Sequence, residues 1–297
     1  PRDWSSDVCS AALILLTKSS AEDAYMVGRL AVCQIRNLAA AYMEQFDRNN
    51  FMQNIILGNM LIVDIYGKAK KHHIQEVPRV VFVIDTGSKN NDMAMELVKN
   101  LADIRSKDFV TCVDQHSIVL IKDVSHIKEE EMEERLSKIA GSLADNLHME
   151  AMIRVRVGYG NVVTQLPEIA ESYQEARMAL EVGRVFYAKY DTISYGKLGI
   201  GRLIYQLPMS LCEMFIKEIF GERNIDLDDE TMVTIQKFFE NSLNISETAR
   251  QLYIHRNTLV YRLERLEKMI GLDIRKFEDA MTFKIAMMVI AHMDYQN

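Results

Sequence analysis

His255 to Gly271, HRNTLVYRLERLEKMIG, decides the fold of the C-terminal part of this chain. At 100° per residue, Leu259, Leu263, Leu266 and Ile270 fall on one narrow face of a helix. Asn257, Thr258, Tyr261, Arg265 and Lys268 fall on the opposite face, so one side packs and the other presents amide, hydroxyl, phenol and cationic groups. Just before it, Asn244–Leu252 (NISETARQL) reads as a short helix with a polar start. Asn244 with Glu247 fits a capping box, and Ser246 is an alternative cap. Ala249 is small enough for a second helix to cross close above it, while Leu252 and Ile254 can close the corner. That succession predicts a helix-turn-helix, whose second helix enters the DNA major groove. The rival reading is a pair of core helices in a small α-helical domain. A merely solvated face would carry Glu and Lys at i, i+4 spacing; this one opens Arg256-Asn257-Thr258, groups suited to base edges and phosphates.

The run His-Arg-Asn-Thr-Leu-x-Tyr-Arg-Leu at 255–263, with Gly-Leu-Asp at 271–273, resembles the C-terminal helix-turn-helix of the sugar-diacid and purine-catabolism regulators, the CdaR/PucR family. The resemblance implies a transcriptional regulator; composition alone does not.

The chain's 297 residues suffice for two domains, and 48% hydrophobic with 26% charged residues describe an ordinary globular protein. A net charge of −7 excludes a protein coated in positive charge but allows a local basic patch. Between Glu230 and Lys276, eight Lys/Arg face six Asp/Glu, a balance of +2 that leaves −9 for the rest. An acidic body beside a mildly basic end helps orient a protein on DNA. Cys9, Cys33, Cys112 and Cys212 lie far apart without a CxxC, as isolated thiols in a reducing cytoplasm. His72-His73 lacks partners at ligand spacing. No apolar run approaches the roughly 18 residues of a membrane span.

Outward from the helix-turn-helix, Arg79–Asp85 (RVVFVID) is a β-branched run expected to form a buried strand. A helix is expected over Asn91–Arg105, and a hairpin from Phe109–Val113 and Ser117–Ile121 around Asp114-Gln115-His116. There follow a helix over His126–His148, a strand over Ile153–Tyr159, a helix from Pro167 to Ala188 and a short strand at Thr192–Tyr195. Gly158 and Gly160 are expected to allow a sharp turn. The order β-α-β-β-α-β-α-β predicts a ferredoxin-like or nucleotide-cyclase-like α+β sandwich with an antiparallel sheet. It resembles the degenerate GGDEF-like domain of the same regulators over roughly Val77–Tyr195. Active cyclases carry Gly-Gly-Asp/Glu-Glu-Phe on the central hairpin turn, where the acids hold metal on a triphosphate. Here the turn reads Val113-Asp114-Gln115-His116-Ser117, without glycine, and His116 stands where an acid belongs. Asp85 occupies the position of one metal ligand but lacks a second carboxylate, and reads instead as a strand-end or N-cap residue. Gly158-Tyr159-Gly160 is not a phosphate loop.

Pro1–Ser10 (PRDWSSDVCS) resembles a translated sequencing-adapter fragment and is set aside as non-native, with further native sequence expected upstream. Ser20–Lys71 is helical in pattern, with a break at Asp47–Asn50, and long enough to pair with a partner chain or to pack on the next domain. The resemblance makes Ser20–Tyr42 the tail of an effector-sensing domain. Leu198–Leu207 and Leu211–Phe220 read as connecting helices around Pro208, and Gly221–Asp229 as a linker. Thr231–Asn241 and Phe283–Met293 complete a helical domain; the latter covers its core or pairs with a copy in a dimer. The expected division is residues 1–10, N-terminal helices at 11–76, the GGDEF-like domain at 77–196, a connector at 197–229, and the DNA-binding domain at 230–297.

The functional expectation is a cytoplasmic, non-catalytic regulator that binds double-stranded DNA as a homodimer or higher homo-oligomer. Asn257, Thr258, Tyr261 and Arg262 are assigned to the groove, and His255, Arg256, Arg265 and Lys268 to phosphates. Arg262 lies nearest the apolar face. No catalytic residue, cofactor or metal ligand is assigned. The resemblance places a small-molecule effector, a sugar diacid or purine-pathway metabolite, in the upstream domain. The competing readings are a nucleotide-binding or cyclase enzyme with an attached DNA module, and a scaffold whose helix-turn-helix docks a protein.

Overall fold

The computed structural model describes residues 23–87, 91–102, 108–221 and 227–296. The expectations for Pro1–Ser10, the cap at Ser20 and the end of the third helix at Arg105 lie outside them. The strand Arg79–Asp85 (β1) is central in a five-stranded sheet of order β2-β3-β1-β4-β5, where β2 is Phe109–Cys112, β3 Ser117–Asp123, β4 Arg156–Tyr159 and β5 Thr192–Ser194. β1 runs antiparallel to both β3 and β4, with Phe82 opposite Leu120 on one side and Tyr159 on the other. The alternation of a strand explains why Val80 to Ile84 are all apolar although successive side chains leave opposite faces. Val80, Phe82 and Ile84 face helices α3 (Asn91–Leu101) and α4 (Met132–Ala151), packing with Val98, Leu136, Leu143 and Leu147. Val81 and Val83 face the other way, onto Phe51 and Ile55 of α1 (Asp23–Ile56), Ile65 of α2 (Ile62–Lys71), and Tyr173 and Ala176 of α5 (Ile169–Phe186). Helices on both faces of one sheet make the expected α+β sandwich.

Several elements differ from the sequence reading. Asp47–Asn50 does not break α1, which runs on because Phe51, Met52, Ile55 and Ile56 immediately beyond are buried against the sheet. The helix stops at Gly58, whose φ of +67° suits glycine. Toward its other end, Met26, Leu30 and Leu38 are exposed. The sheet is not wholly antiparallel, since β5 lies parallel to β4. α4 starts at Met132 after a 3₁₀ turn at Glu129–Glu131, because the chain leaving β3 first turns at Asp123, whose carboxylate accepts from the Ser125 N–H at 2.9 Å. β4 starts only at Arg156, where pairing with β1 begins.

Gly158 and Gly160 do not turn the chain; neither has a positive φ. They let α5 lie flush on the sheet. A Cβ on Gly158 would sit 2.4 Å from the Ala176 carbonyl oxygen, and one on Gly160 2.2 Å from that of Ser172. The fully buried Ser172 hydroxyl uses this closeness, donating to the Asn161 carbonyl at 2.8 Å and accepting from the Val81 N–H at 3.1 Å.

After β5 come α6 (Ile200–Tyr205), α7 (Met209–Phe220), α8 (Asp229–Glu240), α9 (Ile245–Gln251), α10 (Arg256–Ile270) and α11 (Phe277–Gln296). Their core joins Ile235 and Phe238 of α8, Ala249 of α9, the four predicted residues of α10, and Ala280, Phe283 and Ala286 of α11. Phe220 of α7, expected in a connector, packs edge-on against Phe283 at 6.4 Å between centroids. α11 is longer than expected and reaches back past this core. Its Val289 joins Ile204 and Cys212, and the His292 ring lies 5.3 Å from that of Tyr205.

Candidate nucleic-acid interface

The expected corner is built by α9 and α10. The Asn244 side chain caps α9 by accepting from the Glu247 N–H at 3.1 Å. The reciprocal half of the box is not made: Glu247 turns to Arg250, 2.6 Å away, and to Gln251, while the Asn244 N–H goes to the Asn241 carbonyl. That pairing holds the Glu247 carboxyl below its ordinary pKa. Thr248 is fully buried and donates to the Asn244 carbonyl at 2.7 Å, and Ala249 is buried beneath α10. Between the helices Tyr253 adopts φ +55°. His255 caps α10, its Nδ1 accepting from the Asn257 N–H at 3.2 Å. Gly271, at φ +84°, ends the helix with its N–H on the Glu267 carbonyl, which is the left-handed stop that glycine allows.

Within α10 the apolar face is as read: Leu259, Leu263, Leu266 and Ile270 are buried. Arg256, Asn257, Thr258, Tyr261, Arg265 and Lys268 are all exposed, with His255 at the N-cap beside them. From Arg256 to Lys268 this face runs about 18 Å at 1.5 Å per residue. Arg262 departs from the expectation. Its guanidinium turns to α8, 2.5 Å from a Glu230 carboxylate oxygen and 3.2 Å from the Thr234 hydroxyl, so it ties two helices together instead of pointing outward.

The other cations of the segment sort the same way. Lys237 pairs with Glu240, Arg250 with Glu247, and Lys276 with Asp273. Arg275 reaches Glu264, Glu267 and Asp273, and its hydrogen bond holds the Asp273 carboxyl below the usual aspartate range. Among the described residues, Arg256, Arg265 and Lys268 make no ion pair, although Arg265 lies within electrostatic reach of Asp228. Asp228 caps α8 by accepting from the Thr231 N–H at 2.8 Å, which chiefly lowers its pKa. The three cations left for an outside anion are three of the four residues expected to meet phosphates. Sequence spacing could not separate them from Arg262, because pairing with a residue 32 positions earlier has no local signature.

In the α+β domain, Asp85 accepts from the Gly87 N–H at 3.2 Å and pairs with Arg184 of α5. That hydrogen bond raises the Arg184 pKa, with Tyr295 of α11 adding to it. The hairpin turn closes on itself: the His116 N–H donates to the Asp114 carboxylate at 2.8 Å, and the His116 carbonyl accepts from the Thr86 hydroxyl at 3.0 Å. The described residues bring together no group of three His, Cys, Asp or Glu able to hold a metal ion. No described helix is long and apolar enough to cross a membrane.

Residues 231–289 match the PucR C-terminal helix-turn-helix domain, and residues 72–182 match a GGDEF-like domain. The purine catabolism regulatory protein of Bacillus subtilis (strain 168) is 28% identical over 136 residues, 45% of this chain and 25% of that protein. The carbohydrate diacid regulator of Escherichia coli (strain K12) is 26% identical over 217 residues, 71% of this chain and 56% of that protein. This chain thus spans between a quarter and rather over half the length of these relatives. Among solved structures, the regulator of polyketide synthase expression from Bifidobacterium adolescentis overlaps 84% of this chain and 99% of that one, with a TM-score of 0.40 and 14% identity. With a match to a GGDEF-like domain followed by a match to a PucR-type helix-turn-helix domain, the chain is similar to the CdaR/PucR-type regulators.

Proposed function

We propose that this protein is a sequence-specific, double-stranded-DNA-binding transcriptional regulator of the cytoplasm, acting on carbohydrate-diacid or related catabolic genes without catalysis of its own. One observation carries the reading. The exposed face of α10 gathers amide, hydroxyl and phenol groups with Arg256, Arg265 and Lys268, the three cations between Glu230 and Lys276 that make no ion pair among the described residues. Asn257, Thr258 and Tyr261 read base edges, while Arg256, Arg265 and Lys268 meet phosphates, with the remaining nitrogen of His255 beside them. Arg262 holds α10 on α8. One such module offers little contact area, so two copies bind paired half-sites. The division at 77–196, 197–229 and 230–297 accompanies this reading, supported by the separate sheet and helical cores.

The α+β domain serves assembly or relay. Asp85, the one acid at a cyclase metal position, is neutralised by Arg184, and no glycine opens the hairpin turn to a nucleotide. Incubation with GTP and Mg²⁺ is expected to yield no cyclic dinucleotide. The decisive experiment selects duplexes from a random pool and compares the wild type with Asn257→Ala. The variant is expected to lose about 1–3 kcal/mol of discrimination at one base pair. A wild type that enriches no sequence, or a variant with unchanged preference, would overturn the assignment.

A further inference from the structure

We infer that Tyr253, at the corner between α9 and α10, is a further DNA-contacting residue, its hydroxyl donating to a backbone phosphate and its ring lying on the adjoining sugar. The inference rests on the DNA-binding reading above and extends the contact surface beyond α10. The chain on either side points inward: Leu252 and Ile254 pack on the helical core, and the Ile254 N–H donates to the Ala249 carbonyl at 3.0 Å. Tyr253 is thereby driven outward and is 96% exposed. Its φ of +55° is a conformation that L side chains adopt at a steric cost and that glycine or asparagine meets more easily. Among the described residues a positive φ is met by glycine at Gly58, Gly87, Gly199, Gly221 and Gly271, and by another residue at His73, Met152, Ser242 and Leu243 besides Tyr253.

Two other left-handed residues sharpen the comparison. Leu243, at φ +63°, packs against the helical core, so burial offsets its strain. Met152, at φ +53° and 90% exposed, shows that strain with exposure is not enough to mark a contact. Tyr253 differs in place and in chemistry. It stands two residues before the His255 cap and three before Arg256, one of the cations without an ion pair. Its side chain makes no hydrogen bond or ring contact among the described residues. A phenol suits a phosphate oxygen and the apolar side of a sugar at once. Strain retained without an internal partner is expected where a surface is shaped for a ligand.

The test uses the full chain, a short mixed-sequence duplex at low salt, and the variants Tyr253→Phe, Tyr253→Asn and Tyr253→Gly, each also melted thermally. Loss of the hydroxyl in Tyr253→Phe is expected to weaken binding about tenfold, the worth of one hydrogen bond to a charged group. Tyr253→Asn and Tyr253→Gly should weaken it further, while Tyr253→Gly melts no lower than the wild type because its backbone strain is relieved. Full-strength binding by the glycine variant, with a wild type that binds, would overturn the tyrosine's role alone. A fall in melting temperature parallel to the loss of binding would make the residue structural and overturn it too. A wild type that does not bind the duplex would overturn the function and this inference together.

Discussion

The partition of cations in the helix-turn-helix makes a quantitative prediction about salt. Arg256, Arg265 and Lys268 make no ion pair among the described residues, whereas Arg262 is held by Glu230 and Thr234. Each phosphate neutralised on duplex DNA releases condensed counterions, contributing about −0.9 to the slope of log K against log salt. On a duplex carrying a single half-site, three contacts from one subunit give a slope near −2.7, or roughly a 40-fold loss of affinity between ~50 and ~200 mM salt. Lys268→Ala removes one contact and should bring the slope to about −1.8, a loss of roughly 12-fold over the same range. Arg265→Ala should do the same. Arg262→Ala should leave the slope unchanged and lower the stability of the helical domain, because α10 loses its tie to α8 and Glu230 loses its partner. The assay is fluorescence anisotropy on one duplex across a salt series, with urea unfolding of each variant. A slope that falls as far for Arg262→Ala as for Lys268→Ala would refute the division of roles. An unchanged slope for both Lys268→Ala and Arg265→Ala would refute the assignment of this face to phosphates.

Gly160→Ala places a methyl group 2.2 Å from the Ser172 carbonyl oxygen and forces α5 off the sheet, so it should destabilise the α+β domain by at least ~1–3 kcal/mol in urea titration. A near-neutral result would mean that α5 slides without cost. Asp273 has its pKa lowered by Arg275, so its contribution is full above the ordinary aspartate value of about 3.9 and is lost as pH falls through the lower folded value. Asp273→Asn should therefore flatten part of the acid limb of a stability-against-pH curve below about pH 4, and an unchanged limb would count against the pairing.

Much of this protein was legible from pattern. β1 was bounded correctly because an unbroken β-branched run fits only a strand covered on both faces, and Val80 to Ile84 are buried alternately against two helical layers. The buried face of α10 was legible because 3.6-residue periodicity is a property of the helix itself. Asn244 was legible as a cap because capping acts over three residues. The left-handed backbone of Tyr253 has one signal in the sequence, a tyrosine in a two-helix corner where glycine or asparagine is usual.

What the sequence determined by itself was therefore local: which runs become strands or helices, and which face of each is apolar. Tertiary structure alone decided what depends on residues far apart in the chain. Asp47–Asn50 stays helical because the residues beyond it dock on a sheet formed later. Gly158 and Gly160 serve helix packing, not turning, because Ala176 and Ser172 arrive above them. Arg262 leaves the outward face because Glu230 and Thr234 come within reach, while Arg256, Arg265 and Lys268 make no ion pair among the described residues. Periodicity reports the direction in which a side chain leaves its own helix; its charge partners are set by how the helices pack.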